Sequence, residues 1–169
     1  MLLPQLEELL EYKIILASAS VNRRNILKNA GLDYEKGHFE VSPSGFAEDL
    51  PKDQFPSSKD YVIKTSEVKL DHKVEELLSE GKIDKKTIVI SADTIISMNN
   101  TEVMEKPKDA EQALEMITRL RDAKVHQVYT SVWIAFVDST GEKFEVVKKQ
   151  NVCNCTDVYF NQQIDDQVL

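Results

Sequence analysis

Ser18, Ser20 and Arg23 fall within six residues of one another, directly after the apolar run Lys13-Ile-Ile-Leu-Ala and at the start of a basic segment carrying Arg24 and Lys28. A strand that breaks into small hydroxyl residues and then enters a helix makes a natural cradle for phosphate. The first helical N–H groups have no internal partners, and the aligned peptide dipoles leave partial positive charge there. Ser18 and Ser20 can add hydroxyl donors, and the Arg23 guanidinium can fork onto two phosphate oxygens.

A second candidate, Asp93, follows the run Ile88-Val-Ile-Ser-Ala92, so it is expected as a carboxylate at the end of a buried strand. Ligands of α/β sheets gather at strand ends. A carboxylate there can hold a divalent cation or take a proton from water. Read alone, it can equally be a turn-stabilising residue. Glu48 can be a second metal ligand, though an isolated loop acid is ordinarily just solvated. Lys69 on a long helix and Lys106 before Pro107 are, singly, surface lysines. His126 opens a strand and reads alone as a hydrogen-bonded structural residue. The sequence has no Gly-x-Gly-x-x-Gly, no Walker A motif and no Gly-x-Ser-x-Gly elbow. Cys153 and Cys155 would share one face of a strand, too close in sequence for an ordinary disulfide and without the second ligand pair of a zinc site. They are expected to serve as small hydrophobic residues.

The elements that position these residues follow from periodicity. Leu6, Leu9 and Leu10 give a short leading helix over 5–12, and Ile14 to Ala17 a buried strand. Val21 to Ala30 is a helix stopped by Gly31. Phe39 to Val41 is a weak strand. Residues 42–58 contain three Pro and one Gly and read as a long loop. Residues 59–80 form an amphipathic helix with Leu70, Val74, Leu77 and Leu78 on one side. Thr87 to Ser91 is a strand, and 94–98 with 101–104 flank Asn99-Asn100 as a hairpin. Asp109 caps a helix that has Gln112 three positions on, a capping-box pattern with Met116, Ile117 and Leu120 inward. Two long strands, 125–137 and 143–159, close the order. Helix crossovers alternate with hairpins, so the expected fold is α/β, one domain with a mixed sheet flanked by helices.

Composition agrees with a packed chain: 169 residues, 41% hydrophobic, with five Gly and five Pro. A net charge of −8 argues against a nucleic-acid polymer as partner. The opening Met1 to Leu10 has Pro4 and acids where a signal peptide would be basic, and no run approaches the roughly 18 apolar residues of a membrane span. The expectation is a cytoplasmic protein without a membrane partner.

Taken in order, the pieces resemble the Maf family of nucleoside triphosphate pyrophosphatases. Its Ser-Ala-Ser-Pro-Arg-Arg loop is similar to Ser18-Ala19-Ser20-Val21-Asn22-Arg23, and its Gly-Ala-Asp-Thr to Ser91-Ala92-Asp93-Thr94. Lys106-Pro107 matches its Lys-Pro, and His126-Gln-Val128-Tyr-Thr130-Ser131-Val132 its His-x-Val-x-Thr-Gly-Val strand. Glu48 and Lys69 fall where that family carries a metal-binding acid and a helix lysine. The resemblance implies a Maf/ITPase-like sheet, elongated and twisted. It also implies hydrolysis between the α and β phosphates of a (d)NTP, most like the dTTP/UTP branch. Asp93 would be catalytic, Asp93 and Glu48 would hold Mg or Mn, and Ser18, Ser20, Arg23, Lys69 and Lys106 would bind the substrate.

Departures from the pattern bear on that expectation. Val21-Asn22 replaces Pro-Arg, removing one loop arginine; a lost charge-assisted contact costs about 1.5–3 kcal/mol. Ser91 and Ser131 each replace a Gly, adding side chains where backbone is expected to approach the ligand closely. The family's Ala-Gly-x-Tyr-x-Ile-Gln-Gly segment does not follow Thr156 to Phe160. A sheet without it is expected to be less stable, aggregation-prone or dependent on self-association, with a homodimer as the partner. The rival reading is a nucleotide-binding or interaction protein with impaired or lost catalysis.

Overall fold

A computed structural model describes residues 5–46, 50–104, 107–139 and 143–161. Its strands form a six-stranded mixed sheet of order β2-β1-β3-β5-β6, with β4 paired to β3. These are β1 (Lys13–Leu16), β2 (Glu40–Val41), β3 (Thr87–Met98), β4 (Glu102–Met104), β5 (Val125–Ser139) and β6 (Phe144–Tyr159). The helices are α1 (Leu6–Leu9), α2 (Val21–Ala30), α3 (Ser58–Ser79) and α4 (Ala110–Asp122), with a 3-10 turn at Lys52–Gln54. None of the helices searched among the described residues is long and apolar enough to cross a membrane.

The chain packs as two compact units. Described residues within 5–46, 65–92 and 132–152 make the first, and those within 50–64, 93–131 and 153–161 the second. In the first, β1 lies parallel to both β2 and β3, with Leu16 opposite Ile90. Strand alternation sends Ile15 and Ala17 into a core with Leu70, Val74, Leu77 and Val89, while Ile14 and Leu16 join Leu32, Phe39 and Ile88 on the other face. After Lys13, β1 is therefore apolar on both faces, as a doubly covered parallel strand must be.

In the second unit, β3 and β4 pair antiparallel across Asn99-Asn100. Both asparagines have positive φ, 54° and 62°, and the Thr101 amide donates to the Met98 carbonyl at 3.2 Å. Because Met98 pairs with Glu102, the loop is Asn99 to Thr101, one residue longer than the two-residue turn expected. The turn is anchored: Tyr129 donates its hydroxyl to Asn100 Oδ1 at 2.7 Å, and the Ser58 amide donates to the Asn100 carbonyl at 2.9 Å. Burial, helped by a hydrogen bond with the Cys155 thiol, pushes the Tyr129 phenol up to about 12, so it stays protonated as that donor. α4 begins as expected, with Asp109 accepting from the Gln112 amide at 2.8 Å. The Gln112 side chain reaches one residue further back than in a capping box, to the Lys108 amide.

His126 is 3% exposed, its ring 5.6 Å from that of Phe160, and its Nδ1 has no hydrogen-bond partner. Burial pushes its pKa below the ordinary 6.5. The folded state therefore holds neutral imidazole at pH values where the unfolded chain already binds a proton. This contribution to stability is complete above about pH 6.5 and is lost as pH falls from there toward the lower folded value. Melting temperature should drop on acidification through that window, and His126→Phe should flatten the drop. An unchanged pH dependence in His126→Phe would remove His126 as its source.

Candidate functional site

The loop after β1 holds a local hydrogen-bond network. Ser20 is the N-cap of α2, its Oγ accepting from the Arg23 amide at 3.5 Å. Ser18, buried at 7% exposure, accepts from the Arg23 guanidinium at 2.8 Å and from the Ser20 amide at 3.3 Å. A serine hydroxyl has two lone pairs and one hydrogen. Those two bonds use both lone pairs of Ser18, which leaves its O–H as a donor. Both serines thus hold the loop: one caps the helix and the other braces the arginine. Gly31 ends α2 at φ 110°, and no residue of this helix is buried. Val21 and Asn22, which stand in place of Pro-Arg, are both exposed.

α3 brings Lys69 into the same unit, 7% exposed, on the flank of its apolar stripe. Ser91 answers the expectation about crowding. Its side chain is fully buried and donates to the Ser66 carbonyl of α3 at 2.8 Å, so the added hydroxyl ties strand to helix. Ser131, the other replaced glycine, is likewise fully buried.

Asp93 belongs to the second unit and is 7% exposed. It does not end a strand: β3 runs unbroken from Thr87 to Met98, with Asp93 inside it. The physical reason is a change of partner. Pairing with β1 stops at Ile90, whose carbonyl accepts from the Ala17 amide, while β3 continues to its pairing with β4. Asp93 thus follows the end of the β1 pairing and not the end of β3. Alternation puts Asp93 on the same face of β3 as Ser91 and Ser97, and Ser97 donates to Ser58 Oγ at 2.7 Å. Thr94, on the opposite face, has its hydroxyl 3.1 Å from that of Thr130.

Glu48 and Lys106 lie outside the described residues. Among those described, no three His, Cys, Asp or Glu side chains gather into a metal-binding group. A buried carboxylate such as Asp93 is nevertheless the hard oxygen donor that magnesium takes, since that ion commonly uses one or two carboxylates and completes its shell with phosphates and water. Cys153 is half-buried, its thiol pushed up by burial, as fits a small hydrophobic residue. Cys155 is exposed.

Periodicity missed two lysines. Lys73, 2% exposed and one helical turn after Lys69, donates to Ser42 Oγ at 3.3 Å and to Glu76 at 2.6 Å. That hydrogen bond holds the Glu76 carboxyl below its ordinary range, against the opposing effect of burial. The signal was available, because Lys69 and Lys73 stand at i,i+4 on an otherwise apolar stripe. Lys149 of β6 bonds Glu67 at 2.9 Å and Asp71 at 2.8 and 3.0 Å. Its only sequence hint is an acid pair at i,i+4 on α3.

The Maf-like family model matches residues 13–169. The chain belongs to the Maf-like family. Its relatives include the probable bifunctional dTTP/UTP pyrophosphatase/methyltransferase protein of Homo sapiens, 35% identical over 85% of this chain and 22% of that protein. The nucleoside triphosphate pyrophosphatase of Dictyostelium discoideum is 38% identical over 80% of this chain and 59% of its own length. The dTTP/UTP pyrophosphatase of Alkaliphilus oremlandii is 31% identical over 92% and 69%. This Maf-like chain thus spans less than two thirds of the first two of these proteins. Among solved structures, the Staphylococcus aureus Ham1 protein matches 89% of this chain and 72% of its own at a TM-score of 0.42 and 12% identity.

Proposed function

We propose that this Maf-like chain is a nucleoside triphosphate pyrophosphatase, cleaving the bond between the α-phosphorus and its bridging oxygen to give a nucleoside monophosphate and pyrophosphate. The observation that carries the reading is the loop network, in which Ser18 fixes the Arg23 guanidinium 2.8 Å away at the N-terminus of α2. Such a cradle is complementary to phosphate oxygens before any ligand arrives, so little ordering is required on binding. Family membership and the names of the relatives support the activity, and those names favour dTTP or UTP.

Roles follow residue by residue. Arg23, Lys69 and Lys106 hold the polyphosphate and offset the charge that collects on departing pyrophosphate. Ser18 donates its remaining O–H to a phosphate oxygen, and Ser20 keeps the helix terminus in place. Asp93 orients the attacking water and accepts its proton as the water oxygen bonds to phosphorus. Asp93 and Glu48 would hold a magnesium or manganese ion, which supplies charge neutralisation on phosphate oxygens. The acidic composition, the net charge of −8 and the free cysteines support action in the cytoplasm.

A pyrophosphate-release screen across the common and methylated nucleoside triphosphates, with magnesium or manganese, tests this. Release from dTTP and UTP is the expected result. Nucleotide binding without release from any of them would overturn the enzyme reading in favour of a binding protein.

A further inference from the structure

α3 is held on both sides of its buried face. With about 100° of rotation per residue, Glu67 and Asp71 fall on one flank of the Leu70–Val74–Leu77 stripe and Lys69 on the other. On the first flank the Lys149 ammonium bridges both carboxylates, its Nζ 5.0 Å above the ring of Trp133. Bonds to residues one helical turn apart resist rotation of the helix about its own axis. On the second flank, Lys73 reaches Ser42. The Ser91 hydroxyl, on the Ser66 carbonyl, fixes the level of the same turn along the sheet.

We propose that Lys149 is a positioning residue for Lys69: by bridging Glu67 and Asp71 it sets the roll of α3 that presents the Lys69 ammonium to the substrate's phosphates. The proposal rests on the pyrophosphatase reading for the identity of that substrate. Its leverage is geometric. A roll of roughly 10° carries a side chain at about 6 Å radius through about 1 Å, and misplacement on that scale can cost up to about 10²-fold in rate.

The test is a double-mutant cycle between Lys149→Met and Lys69→Ala, read as kcat/KM for dTTP and as Kd for its α,β-imido analogue, whose nitrogen bridge resists cleavage. Lys149→Met alone should lower kcat/KM and analogue affinity about tenfold, and Lys149→Arg should recover most of both. In the Lys69→Ala background, Lys149→Met should add less than about twofold, because the group it positions is gone. Additive losses, or an unchanged Kd and kcat/KM in Lys149→Met, would overturn the proposal, since a purely structural brace lowers stability regardless of Lys69. If Lys149→Met does not fold, Glu67→Gln with Asp71→Asn replaces it, and additivity with Lys69→Ala overturns the proposal in the same way. A parent chain that binds the analogue but cleaves nothing refutes the pyrophosphatase reading, while the Kd cycle still decides the role of Lys149. A parent chain that does not bind it refutes both.

Discussion

Asp93→Asn should lower pyrophosphate release by about 10³-fold, within the 10²–10⁴ span typical of removing a positioned proton acceptor. The substitution keeps shape, removes the charge and exchanges one acceptor oxygen for an NH2 donor. Asp93 lies in the interior of β3 at 7% exposure, on the face where Ser91 and Ser97 secure the strand to α3. Those serine bonds are retained in the variant, so the fold should persist with a cooperative melt. Binding of the α,β-imido analogue should survive in part, because the cradle at Ser18 and Arg23 is untouched. A single-turnover assay with magnesium, run beside a thermal melt, separates loss of chemistry from loss of fold. Near-parental turnover in Asp93→Asn would remove this residue from the reaction; equal collapse of activity and melting would assign it to structure.

What could be read before folding and what could not divides along sequence separation. α2 is legible to the residue because its start and stop are local: Ser20 caps it, and Gly31 has the positive φ that a left-handed terminus requires. The place of the hairpin at Asn99-Asn100 is legible for the same reason, while the third loop residue, Thr101, is set by the pairing of Met98 with Glu102. Asp93 was placed at a strand end because apolar continuity breaks there, whereas the strand is sustained by pairing partners that sequence periodicity does not report. Ser91 looked like an obstruction in a place where a glycine was expected. Only the helix carbonyl 25 residues back in the chain shows that its hydroxyl is used as a tie. Lys149 meets Glu67 and Asp71 across 82 and 78 residues, a contact no local pattern encodes. Candidate site residues were thus recoverable as types in order, and the groups that hold them were not.

Arg23→Ala should weaken binding of the triphosphate analogue by about 10- to 100-fold, the equivalent of losing a charge-assisted hydrogen bond of about 1.5–3 kcal/mol. Monophosphate affinity should change by less than about threefold. The asymmetry follows from charge and from the loop. A guanidinium at a helix N-terminus acts on the phosphates that carry most charge, and Asn22 stands in the family's other arginine position. The Ser18 contact adds a sharper expectation. Ser18 Oγ spends a lone pair on the Arg23 guanidinium, so Ser18→Ala removes that contact while leaving the Arg23 charge in place. Ser18→Ala should therefore weaken triphosphate binding less than Arg23→Ala does, and combining the two should cost little beyond Arg23→Ala alone. Salt gives an independent reading. The parent's triphosphate affinity should fall with ionic strength more steeply than that of Arg23→Ala, because one cation–anion contact has gone. Isothermal titration with monophosphate and triphosphate analogue at two salt concentrations measures all of these. Equal losses for the two ligands would mean that Arg23 acts on the nucleoside or on the fold, and the cradle at Ser18 to Arg23 would then not be the polyphosphate site.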